Sequence, residues 1–114
     1  MHELAVTQQI LDMALEKARE NRASEIQSIN LVVGDLTSII DDSVQFYFDI
    51  LSKNTMAEKA RLSIQRVPVE LRCRSCRRSY IAPDQHWHCP QCQSLDLEIT
   101  RGNEFYLDSI EIPE

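Results

Sequence analysis

Four cysteines, Cys73, Cys76, Cys89 and Cys92, stand as two C-x2-C pairs separated by twelve residues, and the chain contains no others. Two intervening residues let both sulfurs of a pair reach one ion from a tight turn. Two such turns complete a tetrahedral four-sulfur site of the kind that zinc favours. Pro90, inside the second pair, suits a turn there. The stretch from Cys73 to about Thr100 has too few aliphatic residues for a core of its own, so a metal cross-link is what would let it fold. Two disulfides, a redox-active C-x2-C pair and an iron centre are the competing uses of the same spacing. A closed four-thiolate site leaves no position for water, which makes the zinc structural and not hydrolytic. His86 and His88 precede Cys89 and could enter the coordination sphere if a thiolate left; the plainer reading is solvated or packing histidines beside Trp87.

With 114 residues, 43% of them hydrophobic, the chain can bury one respectable core. Any second unit must be very small or held by something other than packing. Apolar runs such as Leu31, Val32 and Val33 are too short to span a bilayer, so no membrane partner is expected. The opening Met1-His2-Glu3-Leu4 has neither a basic stretch nor a small-residue cleavage site, so no signal peptide is expected and the location inferred is cytoplasmic. The net charge is −6. Six basic and four acidic residues lie between 66 and 101, and both flanking segments are acidic. Four thiolates and a divalent ion would neutralise that middle segment. Nucleic-acid partners are therefore disfavoured, because phosphate contacts need a basic patch.

Residues 4 to about 21 carry Leu4, Leu11, Leu15 and Ala18 on one stripe, an amphipathic helix. From Ile26 to Gly34 the pattern alternates, as in a strand with Ile29, Leu31 and Val33 on one side. Asp41, Asp42 or Ser43 can cap a second helix, whose Val44, Phe46, Tyr47, Phe48, Ile50 and Leu51 are expected to supply much of the core. Arg61 to Leu71 reads as a strand with a phase change at Arg66 and Val67, the mark of a bulge or of a handover between two units. Glu104 to Ile112 resumes strand character, with Phe105 and Leu107 on one side and Tyr106, Ile110 and Ile112 on the other. A lone terminal strand could not satisfy its own backbone, so this one should return to the first unit. The expected division is residues 1–69 plus 103–114 as an αβ unit, with 70–102 inserted. Handovers near Arg66 and Gly102 leave open the exchange of an element between two chains of a homodimer.

His2 sets an imidazole within chelating distance of the terminal amine. The amine, the His2 backbone nitrogen and the ring can close fused rings around Ni(II) or Cu(II), a nitrogen-rich site unsuited to zinc or magnesium. An exposed terminal imidazole is the plain alternative, and Glu3 equally suits the first turn of a helix as an acid facing the positive end of the dipole.

Met1-His2-Glu3 opening a helix, Val33-Gly34-Asp35-Leu36 in an αβ body, the two C-x2-C pairs and Arg101-Gly102-Asn103-Glu104 before a returning strand together resemble the HypA/HybF family of hydrogenase-maturation nickel chaperones. The resemblance covers essentially the whole chain. It implies an α+β fold, two helices packed on a three-stranded sheet with an inserted zinc-ribbon-like domain. It also implies delivery of Ni(II) to the large subunit of [NiFe]-hydrogenase with a partner GTPase, and in some relatives to urease. His2 carries over as the essential nickel ligand, with the terminal amine of Met1 and the nitrogen of Glu3 as companions, and Cys73, Cys76, Cys89 and Cys92 as zinc ligands. Some members place histidines directly after the cysteine pairs or use an acid near position 40 for nickel. Here Arg77 and Gln93 stand at the former positions, and Ile40, Asp41 and Asp42 near the latter. Neither aspartate is assigned as a ligand.

Nothing in the chain suggests catalysis. Gly34 and Gly102 are the only glycines, so no phosphate-binding loop exists and nucleotide hydrolysis would belong to a partner. The competing function is a zinc-ribbon adaptor binding nucleic acid or protein, motivated by Arg72, Arg74, Arg77 and Arg78 and by Tyr80 and Trp87.

Overall fold

A computed structural model describes residues 3–82 and 87–113. Helix α1 spans Glu3–Glu20, strand β1 Ser28–Gly34, helix α2 Asp41–Leu51, β2 Arg61–Val67, β3 Glu70–Cys73, β4 Ser79–Ile81, β5 Leu97–Arg101 and β6 Phe105–Glu111. A short 3-10 turn, Asp35–Thr37, follows β1. The strands form two three-stranded sheets, ordered β2-β1-β6 and β4-β3-β5. The fold is α+β, with both helices associated with the first sheet.

Helix α1 turns Val6, Ile10, Leu11, Ala14, Leu15 and Ala18 inward, all almost fully buried, against Ile29, Leu31 and Val33 of β1. Each large aliphatic side chain so buried contributes about 1.5–3 kcal/mol of transfer free energy. Strands β1 and β2 run parallel in unbroken register from Ser28↔Arg61 to Gly34↔Val67, and α2 lies on the crossover that parallel pairing requires. Strand β6 returns antiparallel to β1, on the other side from β2.

Three expectations are refined. Helix α2 is less of a core element than its composition suggests: Val44 and Phe48 are fully buried, whereas Phe46 and Ile50 are 60% and 51% exposed. Its N-cap is Ile40, without a side-chain cap from Asp41, Asp42 or Ser43; Asp41 and Asp42 are first-turn acids instead. On β6 a register shift opposite Asn30 and Leu31 leaves Asp108 unpaired. Ile110 therefore joins Phe105 and Leu107 against the core, and Ile112 follows it.

The phase change near Arg66 is a handover between sheets. Strand β2 ends at Val67, and Pro68, lacking an amide hydrogen, cannot continue a ladder. Strand β3 then begins the second sheet at Glu70. The return passes through Gly102: its carbonyl accepts the Leu36 amide at 2.7 Å, and the Glu104 carbonyl accepts the Gly34 amide at 2.7 Å.

Candidate metal centre

The second sheet delivers the four sulfurs through two turns of the same design. Cys73 closes β3; its carbonyl accepts the Arg77 amide at 2.8 Å and its amide donates to the Arg78 carbonyl at 2.9 Å. Sixteen positions later the pattern recurs. The Cys89 carbonyl accepts the Gln93 amide at 2.8 Å, and the Cys89 amide donates to Ser94 at 3.0 Å. Arg77 and Gln93 each adopt left-handed backbone, φ 65° and 62°, to reverse the chain after the second cysteine. The Ser75 and Ser94 hydroxyls meet at 3.1 Å, and Arg74 binds Asp96 at 3.0 Å, fastening the two turns together. Neither contact was anticipated from the sequence, since only the cysteine spacing brings these segments together.

All four sulfur atoms lie within 4.8 Å of one another, with Cys73–Cys92 and Cys76–Cys89 at 3.5 Å. Zinc–sulfur bonds of ~2.3 Å at tetrahedral angles place sulfurs about 3.8 Å apart. The residues present therefore fit zinc. Cys73 and Cys89 are completely buried and Cys76 and Cys92 exposed, so the cluster has one sealed and one open side. The ion would supply a structural cross-link between the two turns.

Without the ion the four thiols divide in pairs. The backbone amide of Cys92, aided by that of Gln91, lowers the Cys89 thiol from 9.0 to about 6, against the opposing effect of burial. Cys73 is likewise lowered, chiefly by the Cys76 amide. At Cys92 the Ser94 amide pulls downward, but the Cys73 thiol, burial and the Cys89 thiol prevail and push it up to about 12. Cys76 is raised in the same manner: the Arg78 amide lowers it, and the Cys89 thiol and burial outweigh that pull. A divalent cation removes the competition by stabilising all four thiolates.

Of the four arginines read from the sequence as a basic surface, Arg72 and Arg74 are engaged in ion pairs. Arg74 pairs with Asp96 and, at 4.0 Å, with Glu98; Arg72 also reaches Glu98 at 4.0 Å. Tyr80 is half-buried and donates to the His88 carbonyl at 3.2 Å, and His88 itself is exposed. Burial raises the Tyr80 hydroxyl, with the charges of Cys89 and Cys73 adding to the effect. His86 lies outside the described residues.

Met1 and His2 also lie outside the described residues. Glu3 opens α1, and its carboxylate accepts the Ile40 amide at 3.4 Å, so it serves the orphan donor at the start of α2 that the aspartates leave unmet. Arg66, at the end of β2, binds Asp35 and Asp41 at 3.0 Å each and donates to the Ile39 carbonyl at 3.0 Å. Neither the Glu3 bridge nor the Arg66 hub was legible in the sequence.

An α+β body joined to a four-cysteine, zinc-ribbon-like centre defines a small protein of two sheets with a cluster that could hold a metal ion. Residues 1–112 match the family described as hydrogenase/urease nickel incorporation, metallochaperone, HypA. The chain is 42% identical over 114 residues to the hydrogenase maturation factor HypA of Dehalococcoides mccartyi, covering all of this chain and 96% of that one. It is 40% identical over 113 residues to the HypA of Caldanaerobacter subterraneus, covering 98% and 99%. The solution structure of the Ni metallochaperone HypA from Helicobacter pylori matches with a TM-score of 0.69 and 26% identity over 98% of this chain and 97% of that one. A second HypA solution structure matches with a TM-score of 0.74 at 26% identity, covering 99% and 97%. The chain belongs to the HypA family of hydrogenase maturation factors, which are metallochaperones and not catalytic enzymes.

Proposed function

We propose that this chain captures Ni(II) at its N-terminus, through the terminal amine of Met1, the nitrogens of His2 and the backbone nitrogen of Glu3, and releases it for maturation of [NiFe]-hydrogenase. The observation that carries this reading is the family match over residues 1–112 of a chain that opens Met1-His2-Glu3. Cys73, Cys76, Cys89 and Cys92 hold zinc as a structural ion, and a closed four-sulfur sphere leaves no vacancy for a cargo metal. Nickel needs a separate nitrogen-rich site, and the N-terminus supplies it.

In this reading residues 70–102 form the inserted zinc unit, and 1–69 with 103–114 the nickel-binding body. The Glu3–Ile40 bridge supports a positioning role for the Glu3 carboxylate, which seats the start of α1 beside the start of α2. The receiving partners are a nickel-handling GTPase and the hydrogenase large subunit, in the cytoplasm. The pairing of Arg72 and Arg74 with acids argues against a nucleic-acid partner.

Complementation tests the reading. In cells lacking the gene and grown at low nickel, the wild-type chain should restore hydrogenase activity and His2→Ala should not, with excess nickel rescuing the variant. Full activity of His2→Ala at low nickel would leave the chain as a zinc-ribbon adaptor and would refute nickel capture at this terminus.

A further inference from the structure

One side of the first sheet is covered by the helices; the other holds a polar concavity of about 390 Å³ that no metal chemistry uses. Ser28 and Asn30 of β1, Arg61 and Ser63 of β2, Lys59 and Glu111 line it. These β1 residues alternate with Ile29, Leu31 and Val33, so they face away from the core. Glu111 is the lining carboxylate, and it is already satisfied. It accepts the Ser28 hydroxyl at 2.7 Å and the Asn30 amide at 3.5 Å. Lys59 and Arg61 form no ion pair with any described residue, Arg61 acting on Glu111 only through its field. On a chain of net charge −6, the concavity therefore offers two cations against one ionised carboxylate whose oxygen is already hydrogen-bonded, a local excess of one positive charge.

The concavity opens beside a strand edge that no described strand covers. In the order β2-β1-β6, β2 is terminal. The Arg61 amide donates inward to Gln27 at 2.9 Å. Since successive residues alternate, Leu62, Ile64 and Arg66 turn their backbone groups outward. The opposite edge, β6, carries the bulge at Asp108, one of the devices that discourage strand addition. Strand β2 has no bulge in its register and no proline within it. Its Leu62 and Ile64 side chains, on the helix side, are only half-buried. A strand laid along this edge would meet cations and hydroxyls on one face and apolar surface on the other.

We propose that the outer edge of β2 receives an extended segment of a partner protein in which acidic and apolar residues alternate, the acids reaching Arg61 and Lys59 over the concavity and the apolar residues covering Leu62 and Ile64. Main-chain hydrogen bonds supply the adhesion and the alternating side chains the selection. A second copy of this chain is the less suitable occupant, because two molecules of charge −6 repel.

The probe is a fluorescein-labelled hexapeptide of alternating glutamate and valine, titrated into the full-length, metal-replete protein at low salt and followed by anisotropy and by amide chemical shifts. Saturable binding should shift the amides of Leu62, Ile64 and Arg66, and Arg61→Glu or Lys59→Glu should weaken it about tenfold or more, with zinc content and thermal midpoint unchanged. A lysine–valine peptide should not bind. No binding at millimolar peptide, binding that leaves the β2 amides unmoved, or affinity equal in the Arg61→Glu and Lys59→Glu variants would overturn the proposal. Free glutarate producing the same amide shifts would reduce the feature to a small-anion pocket and would also overturn it. These readouts do not depend on nickel, so they stand or fall apart from the N-terminal site.

Discussion

Gly34 and Gly102, the only glycines in the chain, stand against one another where the two sheets join. A Cβ placed on Gly34 would collide with the Gly102 carbonyl and lie 2.7 Å from the Asn103 amide nitrogen. Gly34 has ordinary extended backbone, φ −80° and ψ 147°, so the requirement there is space. Gly102, with φ +116°, has both needs: a conformation that side chains rarely adopt, and a Cβ position 2.9 Å from the Val69 Cα. Gly34→Ala should therefore force the returning chain off β1 and cost about 3 kcal/mol, an overpacking penalty against backbone that cannot yield. Chemical denaturation measures it; a loss below about 0.5 kcal/mol would show that the joint relaxes freely.

Arg66 gathers Asp35, Asp41 and the Ile39 carbonyl at the start of α2. The side chain is 34% exposed, so each ion pair is screened and the set contributes about 1 kcal/mol. Arg66→Met should lower stability by that amount and accelerate amide exchange at Ile39 to Asp41. Arg66→Lys should rescue little, because one ammonium cannot span three acceptors that a planar guanidinium reaches together.

Glu111 sets an acid limb. The Ser28 hydroxyl and the Asn30 amide, with help from the charge of Arg61, hold its carboxyl below the usual 4.5. A lowered folded-state value means a contribution present above pH 4.5 and lost as pH falls through the lowered value. Ser28→Ala should move Glu111 back toward 4.5 in a carboxyl NMR titration; an unmoved midpoint would mean that the hydroxyl does not act on it.

Chelation should unfold the β4-β3-β5 sheet while the β2-β1-β6 sheet keeps its amide protection, because buried Cys73 and Cys89 sit where little else is fully buried. Reloading zinc at pH 7 should eject the protons of Cys76 and Cys92, both raised above 9.0. Calorimetry in buffers of differing ionisation enthalpy counts them. Cys92→Ser should abolish tight zinc binding, and retention of full affinity would show that the fourth sulfur is dispensable.

What the sequence disclosed followed the range of each signal. The C-x2-C spacing is local, and it correctly announced a cluster of four sulfurs. The stripe on α1 and the alternation in β1 are local too, and both elements appear within two residues of the expected bounds. Features that depend on what meets what across the fold were not readable. The bulge at Asp108 reassigned Ile110 because β6 must match β1, which no pattern within β6 encodes. Phe46 and Ile50 are exposed because only the face of α2 carrying Val44 and Phe48 joins the core beside α1, although every turn of the helix is apolar. The Glu3–Ile40 contact joins positions 37 residues apart, and the Arg66–Asp35 pair positions 31 apart, so charge alone could not single them out.

The most direct test is a Ni(II) titration of untagged protein with its native N-terminus, beside His2→Ala and a variant carrying one extra N-terminal residue, with zinc counted in all three by elemental analysis. One zinc per chain is expected throughout, with a stoichiometric nickel site in the native protein, its loss in His2→Ala and its weakening when the amine is displaced. Nickel binding that survives His2→Ala unchanged would contradict capture of Ni(II) at the N-terminus.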